Sequence, residues 1–88
     1  MTVHLAKAGM MAFAFGNTSF TSNINSNGQT VYETMAAGFL PESEGAILLE
    51  GANGQHGALS FDSDGNVTIS GSMNSGYYFR VCGCWPVK

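Results

Sequence analysis

The stretch "ALSFDSDGNVTISG" at 58–71 constrains the fold most. Leu59, Phe61, Val67 and Ile69 fall on alternate positions, with Ala58, Ser60, Thr68 and Ser70 between them. Successive side chains of an extended strand point to opposite faces, so a period of two describes two strands that each have one apolar face. Between them stand Asp62, Asp64, Gly65 and Asn66, all turn formers, and the whole is read as a hairpin. Its turn superficially resembles a calcium loop. The glycine comes too early for one, however, and Met73 stands where a bidentate carboxylate is needed.

The same period recurs along the chain. Met10, Ala12 and Ala14 alternate with Met11, Phe13 and Phe15, apolar on both faces, which predicts a strand buried on both sides. "SNINSNGQTVYE" places Asn27-Gly28 between β-compatible flanks around Phe20–Ile24 and Thr30–Tyr32, the signature of a second hairpin. "MAAGFLPESEG" is read as a loop with at most a helical turn before Gly38, and "AILLE" as a short strand. "GANGQHG" has regularly spaced glycines but no following Gly-Lys-Ser/Thr and no helix start, so it is a flexible turn and not a phosphate loop. The closing "YYFRVCGCWPVK" is a strand with Tyr77, Phe79, Val81, Gly83 and Trp85 on one face and Tyr78, Arg80, Cys82 and Cys84 on the other. No segment supports a helix of three turns. The expected fold is therefore all-β, a single domain over 1–88, sandwich or jelly-roll-like, with about six or seven short strands.

Composition bears on partners. Charged residues are 10% of the 88-residue chain, against about 25% in ordinary soluble domains. The net charge is −3, and Lys7, Arg80 and Lys88 are scattered, so no basic stripe exists to neutralise phosphates and no nucleic-acid partner is expected. No run approaches the ~20 apolar residues of a membrane span. "KAGMMAFAFG" alternates large and small residues like a strand and is not taken as a signal-peptide core; with Met at position 1, no leader is expected to have been removed. A domain this short has a thin core, and few surface charges oppose contact between copies, so self-association is expected.

The only two cysteines are Cys82 and Cys84. Residues i and i+2 of a strand lie about 6.6 Å apart with parallel Cβ vectors, while a disulfide wants Cβ atoms about 3.5–4.5 Å apart, so the two are not expected to bridge. A zinc site takes four ligands, and His4 and His56 are isolated in sequence. Thioredoxin-like redox sites use C-x-x-C at a helix start, a pattern absent here. The thiols are read as small hydrophobes on a face covered by a neighbouring sheet or subunit. Nothing matches a nucleophile elbow, a metal-binding helix or a cofactor turn. Glu42, Glu44, Asp62 and Asp64 are assigned to turns, and the sequons at 17–19 and 66–68 are taken as chance matches without a secretory signal. No catalytic, cofactor or metal residue is expected, and the chain is read as non-enzymatic.

The hairpin "GALSFDSDGNVTISG" followed by "SGYYFRVCGCWPVK" as a terminal aromatic strand resembles the short β-rich structural proteins of tailed bacteriophages, namely capsid decoration (cement) proteins and tail-fibre tips. The resemblance covers roughly the last third of the chain and transfers no functional residue. It implies a homotrimeric subunit bound to the major capsid protein or other virion proteins on the capsid exterior. Two alternatives stand beside the decoration protein: a fibre tip or small tail protein gripping host carbohydrate, and a small bacterial β-rich binding domain. The contact residues expected from the chain itself are Met1, Val3 and Leu5 at its start and Tyr78, Cys82 and Cys84 on the closing strand.

Overall fold

A computed structural model describes residues 2–31 and 33–88, so Met1 and Tyr32 lie outside the described residues. The strands are β1 (His4–Ala8), β2 (Met11–Phe15), β3 (Asn17–Thr18), β4 (Ile24–Thr30), β5 (Glu44–Glu50), β6 (His56–Asp62), β7 (Val67–Met73) and β8 (Phe79–Pro86). One 3-10 turn, Ala37–Phe39, spans Gly38, where the sequence allows at most a helical turn before it. The protein is all-β: the eight strands among the described residues form one antiparallel sheet in the order β1-β2-β8-β5-β6-β7-β4, with β3 also paired to β8.

This sheet is curled. Laid flat, β1 and β7 would stand five strand spacings apart, about 24 Å, yet Val3 and Leu5 from the β1 end line one cleft together with Val31, Leu59 and Val67. Curling turns one face of every long strand onto a shared core, and that core is what the alternation specifies. Ile47, Leu49, Leu59, Phe61, Val67, Ile69, Phe79, Val81 and Trp85 are all buried in it.

The 58–71 hairpin forms in the register its apolar positions require, with Leu59 opposite Ile69 and Phe61 opposite Val67. Asp62 closes its turn. The side-chain amide of Asn66 donates to Oδ2 at 3.2 Å, and the backbone N–H groups of Asn66 and Asp64 each donate to Oδ1 at 3.0 Å. These donors, Asn66 first, hold the Asp62 carboxyl below the ordinary carboxylate range, because they favour its charged form. A depressed folded pKa contributes stability that is complete above the unfolded value and is lost as pH falls through the folded one. Relative to the Asp62→Asn variant, the parent chain should be more stable at neutral pH, and the difference should shrink as the solution is acidified through the carboxylate range. Urea melts of both across pH check this, and a difference independent of pH would contradict it.

The Asn27-Gly28 hairpin does not form. Ile24–Thr30 runs as one strand along β7, and the pairing slips between Asn27 and Gln29. Gly28, at φ +124°, is the extra residue of a β-bulge. The Ser26 hydroxyl organises the bulge by accepting from the N–H groups of Gly28 and Gln29 while donating to Ile69 O. A residue pair that tolerates positive φ serves a bulge as well as a two-residue turn, and local sequence does not distinguish them.

The closing strand is the axis of the fold. β8 pairs β2 and β3 on one side and β5 on the other. Trp85, 2% exposed, donates its indole N–H to Phe39 O at 2.8 Å and meets Phe61 edge-on at 4.7 Å between ring centroids. Both the start of the described chain and its C-terminal residues are hydrogen-bonded within this same domain. Val87 N donates to Met10 O, Lys88 N to Leu40 O, and Thr2 N to the Thr18 hydroxyl.

Candidate functional site

Because one sheet supplies both the core and the surface, each strand has an inner and an outer face, and the outer face is open. This corrects the reading of β2 as buried on both sides. Ala12 and Ala14 face the core, while Met11, Phe13 and Phe15 are 36%, 40% and 49% exposed. Cys82 and Cys84 are both exposed as well, so among the described residues no neighbouring sheet of this chain covers them. A strand that is apolar on both faces gives the same periodic signal whether its second face is covered or bare.

The sheet register assembles these outward side chains into one surface. Phe13 lies opposite Cys84 across the β2–β8 pairing, and Leu48 opposite Cys82 across β8–β5. Leu48 is 60% exposed, and its other neighbour is Ala58 on β6. Phe15 extends the surface to the sheet edge, where its ring stacks on His4 at 5.6 Å. Among the described residues, the centre of this surface carries no ionisable group other than the thiols. Charges sit at its ends: Arg80, Glu50 and His56 are cross-strand neighbours at one, and Glu44 and Asp62 are paired at the other. Glu44 thus belongs to a strand and not to the turn assigned to it. Beside it, a shallow groove is lined by Ala46, Ser60, Asp62 and Thr68.

The other expected contact residues are placed differently. Val3 and Leu5 are half-buried against the chain's own core, so their side chains are committed inward. Met1 lies outside the described residues. Tyr78 is 76% exposed, next to Tyr77 at 42%, and both immediately precede β8. The turn before them is held by Gln55 Oε1, which accepts from Asn74 N, and by Asn23 Oδ1, which accepts from Ser75 N. His56 Nδ1 is hydrogen-bonded to its own turn at Gly54 O.

Among the described residues, no three His, Cys, Asp or Glu side chains converge in a way that could hold a metal ion. No helix among them is long and apolar enough to cross a membrane. What the arrangement offers chemically is a sheet face of aromatic, aliphatic and thiol groups with polar ends, suited to contact with another protein surface. Comparison of the chain with protein-family models and with curated proteins finds no match.

Proposed function

We propose that this chain is a non-enzymatic structural protein that works by docking its outer sheet face onto protein. The exposed row formed by Phe13, Cys84, Cys82 and Leu48 carries this reading. Large apolar side chains in a contiguous group are costly to leave in water, and a patch rimmed by polar residues marks an interaction surface. The sequence resemblance supplies the more specific form of the proposal: a decoration protein on the exterior of a tailed-phage capsid, partnered by the major capsid protein. Abundance in purified particles, at copy numbers comparable to the major capsid subunit, tests that form. Absence from particles would overturn the virion assignment while leaving the docking face to be tested separately.

The docking face has its own test. Phe13→Asp combined with Leu48→Asp places two charges in the middle of the surface without touching the core. The variant should keep the parent's circular dichroism spectrum and lose association, whether with itself or with particles, as read by sedimentation velocity. Undiminished association by the folded variant would refute the role of the face. The exposed Tyr77 and Tyr78 beside an ordered Asn/Ser turn favour one second reading, a carbohydrate-gripping tip. Binding to a glycan array that Tyr78→Ala abolishes would support it.

A further inference from the structure

We infer that Cys82 and Cys84 form a two-coordinate site for a soft monovalent metal ion of the copper(I) class, held between their sulfurs on the outer face of β8. This goes beyond the docking reading and does not rest on it. Both thiols are free and exposed. They are next-but-one neighbours on a strand whose pairing runs in step on both sides: Ala12, Phe13 and Ala14 stand opposite Trp85, Cys84 and Gly83, and Leu48, Leu49 and Glu50 opposite Cys82, Val81 and Arg80. A regular strand sets the two Cβ atoms on one face, about 6.6 Å apart.

The spacing that excludes a disulfide suits a bridging ion. A disulfide wants Cβ atoms about 3.5–4.5 Å apart, which this strand could reach only by buckling. Metal–thiolate bonds are about 2.3 Å long, so two sulfurs in line across one ion stand about 4.6 Å apart. Strand side chains lean along the strand, and Cys82 leaning forward with Cys84 leaning back closes the remaining gap of about 2 Å while the backbone stays in place. The surroundings select the kind of ion. Among the described residues no third His, Cys, Asp or Glu joins the pair. Two donors are too few for zinc or calcium but complete a linear site, and thiolates are the ligands that soft ions favour. Phe13 stands across from Cys84 and Leu48 across from Cys82. These apolar flanks offer no oxygen to a hard cation. Binding releases both thiol protons, so the loaded dithiolate carries one net negative charge. Arg80, two residues before Cys82 and exposed on the same face, sets a positive charge beside it.

The test titrates the full, reduced chain with silver(I), and with copper(I) kept monovalent by ascorbate, read by native mass spectrometry and by competition with a copper(I) chelator. One ion per chain is expected, with two sulfur neighbours in X-ray absorption. Cys82→Ser and Cys84→Ser each change one exposed side chain, and circular dichroism checks that both keep the parent's fold. Each should bind at least about a hundredfold more weakly than the parent, because the second thiolate adds its bond at the high effective concentration that a fixed spacing supplies. Alkylating both thiols of the folded parent with iodoacetamide should abolish binding, which gives the same comparison without a substitution. Zinc at the same concentration should not be retained. Equal affinity in the parent and either single variant would show that the thiols act separately, and overturns the inference. A complex in which each ion joins two chains, three or more donors around the ion, or binding that survives alkylation overturns it as well.

Discussion

Trp85→Ala should melt roughly 12–40 °C below the parent chain, since emptying a large buried aromatic costs about 3–5 kcal/mol and each kcal/mol moves the midpoint of a domain this size by about 4–8 °C. Trp85 is 2% exposed at the crossing of β8 with the 3-10 turn, and its ring meets Phe61 edge-on. Truncation also strands the Phe39 carbonyl that the indole N–H satisfies at 2.8 Å, a further cost of about 1–3 kcal/mol if that group stays buried. Total stabilities of small domains are about 5–15 kcal/mol, so the variant stands close to unfolding at room temperature. Trp85→Phe separates the contributions. It retains much of the burial and loses the hydrogen bond, and its midpoint should lie between the other two. Thermal melts followed by circular dichroism read all three chains, and an unchanged midpoint for Trp85→Ala would show that the core does not depend on this ring.

Gly71→Ala should be comparably destructive for a backbone reason. Gly71 and Gly57 face each other across β7 and β6. A Cβ on Gly71 would sit 2.4 Å from His56 O and 2.5 Å from the Gly57 Cα, distances that only a backbone shift can relieve. Its φ is +120°, a region that other residues rarely enter, at a cost of about 1–3 kcal/mol before any clash is counted. Gly57→Ala, at an ordinary φ, meets the flexible end of Met73 and Ser70 O. It should be destabilising to a smaller degree, and urea melts of the two variants rank the effects. Equal stability of Gly71→Ala and the parent would mean that the β6–β7 pairing is looser than its register indicates.

The candidate surface was half legible in the sequence. The phase of the closing strand could be read from the residues: Phe79, Val81 and Trp85 alternate with Arg80, Cys82 and Cys84, and the first set is buried while the second is exposed. What the pattern left undecided was whether the second face would be covered. Met11, Phe13 and Phe15 are as apolar as a buried layer, and a further layer packed outside β2 would have given the same pattern. The chain instead spends its strands on a single curled sheet with one interior. Val3 and Leu5 show the reverse case. Near the chain start they were read as contacts for a neighbour, but Leu5 on β1, and Val3 just before it, are partly buried against the chain's own core.

The sequence by itself determined the local terms: the all-β class, the 58–71 hairpin with its inward face and its Asp62 turn, and the closing strand's aromatics as core. Those follow from a period of two and from turn chemistry, which act over a few residues and are written in the order of side chains. Only the tertiary structure decided that Asn27-Gly28 is a bulge within a strand, because that depends on β7 lying alongside it. Only the tertiary structure, likewise, brought Phe13, Cys84, Cys82 and Leu48 into one exposed row, since they come from three strands far apart in the chain. Their adjacency is set by strand order and register. Both arise from closing one shared core, a property of the whole chain that no short stretch of it contains.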